Sequence, residues 1–574
     1  LTSDTTKELN YIAEIQAVNG YVNFHVKLPR LAAETINAAR VLQNEFGYVK
    51  VEKSQNVIVE HTSANPSGPI HAGTSRSSIL GDAIARLISA RGHVVRRHFY
   101  VDDVGRQIAQ VVYGYRLLGQ PPIEGKPDVW LGFLYAAVNT ALTIRTLKAK
   151  IDSTNQSAEL IQSLKRELDD YVATAAELEI QNKDLFHKII TGVTEDRDPE
   201  DSINKILREY ENQDAEVKIQ IRMLAERCRN GFAETLDKAN ITIDSWDWES
   251  DLVWSGEVSK AIQELMKTPF MATHEGALAL NADTAATTLG LKDGMRLDQE
   301  LPPLVLRRTD GTTLYTTRDV AYHLRKFEWA DRAVNIIGSD QKLAQLHLKI
   351  ALVSLGVKNA AQNLIHYAYE LVNLPGYRMS RRRGRYVSFD EVLEQSVTLA
   401  KTEVHKRVPE MSEQEKNKIA EIVGIGAVKY AILGVSASKA VVFTWDRVLN
   451  FEANSAPFVQ YAHARASSIL RKQEQNADAK DYSILSHSLE RTLLVWLARF
   501  PETFTEASDA MKPELIAEYA NELADNFNAF YKDVPVLKAD LPQLTQARLD
   551  LVWATKTVLH NALALLGIYA PDRM

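Results

Sequence analysis

Hydrophobic positions along the chain change period several times, and each change marks an element. Tyr21-Val22-Asn23-Phe24-His25-Val26 alternates apolar and polar after the turn pair Asn19-Gly20, which predicts a strand in a small β-containing domain. Val57-Ile58-Val59 is a short β-rich run that leads into a turn-rich loop from Ser63 to Pro69. Beyond the loop, Ile79, Leu80, Ala83, Ile84, Leu87 and Ile88 keep helical spacing, predicting a helix from about Thr74 to a stop at Arg91-Gly92. Val94 to Val101 reads as the next strand, so residues 57–101 form a βαβ unit of the doubly wound kind. Ligands in such sheets bind beyond the carboxyl ends of the strands.

Between about 140 and 235 the sequence is highly charged, and Leu160, Leu164, Leu168 and Val172 recur every fourth residue, predicting an inserted helical arm with these side chains on one face. Val334-Asn335-Ile336-Ile337-Gly338 has the pattern of a buried strand ending in glycine, a return to the parallel sheet. From about residue 395 helical periodicity takes over, as in Val552, Leu559, Leu563 and Leu566, with Gly567 and Pro571 as the stop signal of the last helix. The expected fold is therefore α/β: a doubly wound, Rossmann-like domain split by a helical arm, then an all-α helical bundle. The chain shows no internal repeat or low-complexity segment.

Composition narrows the class without deciding it. With 45% hydrophobic and 25% charged residues the chain is globular, and its 574 residues supply about four domain-sized units. The 67 Lys+Arg against 74 Asp+Glu leave a net charge of −7, so a surface for nucleic acid has to be local. The lone cysteine, Cys228, excludes an internal disulfide and reads as a structural thiol in a reducing cytoplasm. No apolar run reaches the roughly 18 residues of a membrane span. Leu1-Thr2-Ser3-Asp4 does not have the pattern of a signal peptide, and a first residue other than Met leaves room for a longer product.

Two clusters carry candidate chemistry. In His71-Ala72-Gly73-Thr74 an imidazole, a bare backbone and helix N–H groups converge where a strand-end loop meets a helix, an arrangement that suits phosphate. A His-x-Gly match alone is common by chance. Far downstream, Tyr377-Arg378-Met379-Ser380-Arg381-Arg382-Arg383-Gly384-Arg385 is a cationic loop able to neutralise triphosphate charge, or else a plain RNA-backbone contact. Tyr315 and Asp319, four apart, share a face of any helix they occupy, and Glu60 and Gln341 fall at predicted strand ends. A guanidinium, with its planar fork of donors, needs such a carboxylate and such acceptors.

The chain resembles the arginyl-tRNA synthetases of class I. The resemblance begins with Glu60-His61-Thr62-Ser63-Ala64-Asn65-Pro66, His71-Ala72-Gly73-Thr74 and Met379-Ser380. It continues through Tyr100 to Gln107, Trp248 to Leu252, Asp310 to Asp319, Ile337 to Leu343, Gln460 to Arg465 and Leu566 to Met574, and so covers nearly the whole chain. It implies a remnant of an N-terminal tRNA-binding (D-loop) domain at 1–50, a Rossmann catalytic domain at 51–395 with an insertion at about 106–245, and a helical anticodon-binding domain at 396–574. The implied activity is ATP- and Mg²⁺-dependent activation of L-arginine to arginyl-adenylate and its transfer to the 3′ end of tRNA(Arg), with bound tRNA needed for activation, by a cytoplasmic monomer.

By the same resemblance, Glu60, Ser63, Asn65, Tyr315, Asp319 and Gln341 bind arginine, with Tyr315, Asp319 and Gln341 at its side chain and Ser63 and Asn65 at its α-amino and carboxylate end. His71, Gly73, Thr74, Gly338, Met379 and Ser380 bind ATP, with Arg378 and Arg381 joining His71, Gly73, Thr74, Met379 and Ser380 in catalysis. Tyr21, Asn23, Tyr461, Arg465, Tyr531 and Met574 contact tRNA, where aromatic and arginine planes suit unstacked bases. No residue is assigned to a metal.

Three positions depart from the family pattern. Thr74 replaces the second His of the first signature, Arg378 replaces the first Lys of the second, and Ala344 stands where relatives often carry His. Losing one preorganised donor lowers rates by about 10²–10³. The alternative reading is thus a catalytically impaired paralogue acting as a tRNA-binding protein.

Overall fold

The computed structural model describes residues 11–153, 157–292, 299–309, 311–373, 387–473 and 481–574. Along the chain these form β1 (Ile12–Val18), β2 (Tyr21–Val26) and α1 (Leu28–Leu42), then β3 (Asn56–Glu60), α2 (Ser75–Ala90) and β4 (Val94–Val101). Six helices follow: α3 (Arg106–Leu117), α4 (Pro127–Asp152), α5 (Ala158–Gln181), α6 (Lys183–Glu195), α7 (Pro199–Glu211) and α8 (Ala215–Lys238). Next come β5 (Ser245–Trp248), α9 (Glu249–Trp254), α10 (Glu257–Met266), β6 (Met271–His274), β7 (Ala277–Leu280), α11 (Ala282–Thr288) and β8 (Leu304–Arg307). The second half of the sheet domain is α12 (Tyr315–Trp329), β9 (Arg332–Gly338), α13 (Lys342–Ser354) and β10 (Leu364–Tyr369). The chain closes with α14 (Phe389–Arg407), α15 (Glu413–Leu433), α16 (Ala456–Arg471), α17 (Ser488–Asp509), α18 (Pro513–Asp533) and α19 (Pro542–Leu565).

These elements form two compact units. One comprises Gln55–Gly81 and Val94–Val392, the other Leu1–Ser54, Asp82–His93 and Leu393–Met574. In the first, β10-β9-β3-β4-β5 form a parallel sheet. Numbered within the sheet this is the order 3-2-1-4-5 of a doubly wound nucleotide fold. The expected βαβ unit of residues 57–101 is present, with β4 spanning Val94 to Val101 as read from the sequence. β3 and β9 are buried along most of their length, which explains their near-continuous apolar runs. Helices α3 to α8 lie between β4 and β5 in sequence and make the inserted arm. The thiol of Cys228 on α8 is fully buried, as a structural thiol should be.

One expectation fails within the arm. On α5 the buried side chains are Tyr171, Thr174 and Leu178, while Leu160 and Val172 are exposed. A step of four residues advances about 400° on a helix that turns 100° per residue, so a strict four-residue repeat drifts about 40° per step. Over the three steps from Leu160 to Val172 the stripe leaves the buried face; alternating threes and fours, as from Tyr171 to Thr174 to Leu178, hold it.

In the second unit, β1 and β2 form an antiparallel hairpin whose turn residues Asn19 and Gly20 both have positive φ, 51° and 85°. That is the backbone of a two-residue hairpin turn, and it selects Asn-Gly. The helices of the bundle start on strong caps, such as the reciprocal Ser412–Glu415 box ahead of α15. Their core includes Phe500 and Phe504 from α17 and Phe527 and Phe530 from α18, all fully buried.

The predicted stop after α19 is a structural requirement. Gly567 has φ +65°, and a Cβ there would come 2.6 Å from Lys429 Nζ and 2.8 Å from Asp82 Oδ2. Lys429 and Asp82 are a fully buried ion pair at 3.6 Å, joined by Arg86 Nε at 2.7 Å from the same carboxylate oxygen. Burial draws the Lys429 amine down to about 8 despite Asp82. Gly567→Ala therefore combines left-handed backbone strain with displacement of a buried ion pair, and we expect a loss of roughly 2–4 kcal/mol. A thermal unfolding midpoint within a degree of the parent's would contradict this.

Candidate active site and nucleic-acid interface

The strand order reverses between β3 and β9, and the crevice at that switch point is where open α/β sheets bind ligands. Glu60 ends β3 and Gly338 ends β9, while Asp102 follows β4 and Glu249 follows β5. Four strand ends thus deliver candidate groups to one edge of the sheet. The loop leaving β3 turns at Thr62, a β-branched residue at φ 75° whose hydroxyl donates to Ser78 Oγ at 2.9 Å. Such strain is tolerated only where the surroundings hold it, and it is common at functional sites.

Glu60 is tied to a residue the sequence did not single out. Lys326 Nζ on α12 is fully buried, donates to Glu60 Oε2, and lies 3.1 Å from His323 Nε2 and 3.2 Å from Asn335 Oδ1. Burial opposes ionised Glu60, but the Lys326 charge, with hydrogen bonds from Lys326 and Ser63, outweighs it and holds the carboxyl below its ordinary value. His323 Nδ1 lies 2.8 Å from the Asp319 carbonyl oxygen, which can only accept, so the proton sits on Nδ1 and Nε2 is an acceptor. Burial, then the Lys326 cation, draws this imidazole down to about 3 and keeps it neutral. Asn335 extends the network to Gln345 Oε1 at 2.8 Å.

Asp319, one turn beyond Tyr315 on α12, stands beside this neutralised pair. Burial and then the Glu60 charge push its carboxyl up to about 7, against the pull of Lys326 and Arg318. Such an acid is stabilised in its neutral form by burial and by the neighbouring Glu60 charge. Ser63 Oγ donates to Glu60 Oε1 at 2.9 Å and accepts from the Tyr100 N–H at 3.1 Å. Asn65 Nδ2 donates to Asp102 Oδ2 at 2.8 Å. Tyr315 opens α12, exposed, with the Arg318 guanidinium 5.1 Å from its ring centre. The fold thus gathers Glu60, Ser63, Asn65 and Asp319, whereas the exposed Gln341 side chain donates to Asp340 Oδ2 at 2.7 Å.

The first signature lies on the loop between β3 and α2. His71 Nδ1 accepts the Gly73 N–H at 2.9 Å, which places the proton of a neutral ring on Nε2 as a donor. Thr74 Oγ1 donates to the His71 carbonyl at 2.9 Å, so in this conformation the hydroxyl is spent on the turn that starts α2. Arg378, Met379, Ser380 and Arg381 lie outside the described residues.

A second concave surface lies in the helical bundle. A groove of about 950 Å³ is lined by Tyr461, Arg465, Tyr531 and Met574, with Lys472, Lys532 and Lys538 among its neighbours. The Arg465 guanidinium lies 4.7 Å from the Tyr461 ring centre and 4.5 Å from that of Tyr531, and donates to Asn528 Oδ1. Stacked aromatic and guanidinium planes beside lysines suit single-stranded nucleic acid. Tyr21 and Asn23 sit on β2, whose residues are all exposed.

Two family models together match most of the chain. Residues 36–130 and 149–445 match the catalytic domain of class I tRNA synthetases for arginine, and residues 459–574 match the DALR anticodon-binding domain. The arginine–tRNA ligase of Saccharolobus solfataricus is 38% identical over 98% of this chain and 89% of its own length. The chain belongs to the class I arginyl-tRNA synthetases. The arginine–tRNA ligase of Ignicoccus hospitalis is 39% identical over 98% of this chain and 88% of its own. The Thermus thermophilus arginyl-tRNA synthetase structure covers all of this chain with 91% of its own, at a TM-score of 0.77 and 27% identity. As a member of that family the chain is an arginine–tRNA ligase, with ATP and arginine as substrates and tRNA as acceptor.

Among the described residues, no helix is long and apolar enough to cross a membrane. Sequence reasoning missed Lys326, His323 and Asn335, which hold the pocket's acids in place. The one available signal was Lys326 seven residues after Asp319, hence on the same face of α12.

Proposed function

We propose that this synthetase activates arginine in the crevice at the ends of β3 and β9 and that its active-site departures tune the reaction without abolishing it. The reading is carried by Asp319, an acid kept near neutrality beside an already paired Glu60, which leaves the pocket short of one cation until a guanidinium arrives. Asp319, Glu60 and Tyr315 receive the guanidinium, with Gln341 turning in from Asp340. Ser63 and Asn65 hold the α-amino and carboxylate end. His71 donates from Nε2 to phosphate oxygens, and the backbone at Gly73 and Gly338 admits the nucleotide. Arg378, Met379, Ser380 and Arg381 act on the triphosphate from their loop.

The arginine carboxylate attacks the α-phosphorus in line, pyrophosphate leaves, and the terminal ribose hydroxyl of tRNA then attacks the adenylate carbonyl. Magnesium is assigned to the ATP triphosphate as part of that substrate. Tyr461, Arg465, Tyr531 and Met574 read the anticodon loop, and Tyr21 and Asn23 approach the D-loop. We assign the enzyme to the cytoplasm as a monomer whose activation step requires tRNA.

The test is amino-acid-dependent ATP–pyrophosphate exchange with and without tRNA, using arginine, lysine and citrulline. Exchange with arginine alone, and only with tRNA, is expected. Tight tRNA binding with no exchange would overturn the reading in favour of a binding paralogue. Because the Thr74 hydroxyl is engaged by the His71 carbonyl, Thr74→His is expected to raise the exchange rate, by up to about 10²-fold if the new imidazole becomes a preorganised donor. An unchanged rate would show that the first signature does not limit this enzyme.

A further inference from the structure

The arginine pocket contains a second acidic element to which no role has been given. Glu249, at the start of α9, is 1% exposed, and its Oε1 accepts from Arg318 Nη1 at 2.7 Å. Its Oε2 has no donor among the described residues, and neither has Asp102 Oδ1, the oxygen not bonded to Asn65. Burial first, and then the Asp102 charge, pushes the Glu249 carboxyl well above its ordinary value. Two acids that disfavour each other's charge call for a proton or a cation beside them. The hydroxyl of Tyr100, a residue 8% exposed, is a third buried group with no partner among the described residues, and Glu249, Asp319 and Asp102 are the acids around it.

Charge balance says what this element lacks. Glu60, Asp102, Asp319 and Glu249 are opposed within the pocket by Lys326 and Arg318, and Lys326 is committed to Glu60 while Arg318 is committed to Glu249. Among the described residues, neither Asp319 nor Asp102 has an ion pair of its own. Arginine has two cationic groups, a guanidinium and an α-ammonium. Asp102 is held by Asn65, on the same loop as His71, and the α-end of the substrate must lie on that side because its carboxylate has to reach the α-phosphorus. Asp319 feels Glu60 more strongly than Asp102, and its helix neighbours are His323 and Lys326.

We propose that Asp102, backed by Glu249 and Tyr100, is the counter-ion of the substrate's α-ammonium group. The proposal rests on arginine being the amino acid bound, and it adds a residue that recognises the α-amino end. In the free enzyme burial, and then the Asp102 charge, pushes the Glu249 carboxyl well up and keeps it neutral. The substrate ammonium donates to Asp102 Oδ1, while Asn65 keeps that carboxylate oriented.

The deciding experiment compares inhibition and binding constants for arginine, citrulline and 5-guanidinopentanoate, which is arginine without its α-ammonium, in the full chain with tRNA and ATP present. In the parent, 5-guanidinopentanoate should bind more weakly than arginine by roughly 10–100-fold. In Asp102→Asn that ratio should collapse toward one, the KM for arginine should rise by a similar factor, the KM for ATP should hold, and discrimination against citrulline should persist. An unchanged ratio in Asp102→Asn overturns the proposal. Loss of discrimination against citrulline instead would also overturn it, by placing the pair at the guanidinium. A parent with no arginine-dependent exchange would refute the arginine reading itself, a distinct outcome. Should Asp102→Asn fail to fold, Asp102→Ser offers the same comparison with a smaller neutral side chain.

Discussion

Asp319→Asn is expected to lower kcat/KM for arginine activation by about 100- to 1,000-fold, most of it in the arginine KM. Removing one partner of a hydrogen-bonded, desolvated charge pair costs roughly 2–5 kcal/mol, because the other charge is left in the pocket unpaired. Asparagine has nearly the same shape, so the effect isolates the charge. The parent should also show a pH dependence that the variant does not. With its carboxyl pushed up to about 7, by burial first and the Glu60 charge second, Asp319 is largely protonated in the free enzyme below that pH. Only the ionised form receives a guanidinium, so the arginine KM should rise about tenfold for each pH unit below 7 and level off above it. Lys326 is paired with Glu60 and His323 titrates only near 3, so neither blurs this window, and the Asp102 and Arg318 charges that also reach Asp319 are common to parent and variant. A parent whose KM is flat from about pH 5.5 to 8.5, or a variant that keeps the slope, would remove Asp319 from the guanidinium site.

The same shift has a sign for stability. An acid raised from 3.8 to about 7 binds its proton more tightly in the folded state. Its favourable contribution is present below the ordinary carboxylate value and is lost as pH rises through 7. If Asp319 receives the guanidinium as proposed, its raised ionisation disfavours the free enzyme near neutral pH and bound arginine offsets that cost. That places cognate binding energy on the feature that rejects citrulline, a neutral side chain that would leave the carboxylate unpaired.

How much of this was legible in the sequence depended on whether the controlling physics was local. β4 and the helix before it were readable because a strand rich in β-branched and aromatic residues and an amphipathic helix write their patterns into adjacent residues, punctuated by Gly92. Gly567 was readable as a stop, but not as the residue that makes room for a buried ion pair of Lys429 and Asp82, which lie far apart in sequence. The acids Glu60 and Asp319 were found through family resemblance. Their modulators were not, because Lys326 meets Glu60 across 266 positions and nothing in either neighbourhood signals the pairing. The four-residue stripe on α5 misled for the opposite reason: a local pattern was strong, and the helix turned away from it.

Lys326→Met tests the modulator directly, with an expected loss of about 3–5 kcal/mol in stability. The substitution keeps the length of the side chain and removes its charge, leaving Glu60 buried beside Asp319 with no cation and the Tyr322 ring without the ammonium now 4.3 Å from its centre. Glu60 must then take up a proton. That exposes its role in the pH profile: the stability supplied by its depressed ionisation is present above the ordinary carboxylate value and lost as pH falls through the depressed one, and the variant should lack this acid limb. The double variant Glu60→Gln/Lys326→Met removes both charges, and since a buried pair replaced by neutral groups is often nearly neutral in energy, it should regain most of the loss. Unfolding in urea, with and without arginine, separates the two roles. If the single variant loses less than about 1 kcal/mol and the double variant is no more stable than the single, Lys326 is not the group that allows two carboxylates to stand together at the end of β3.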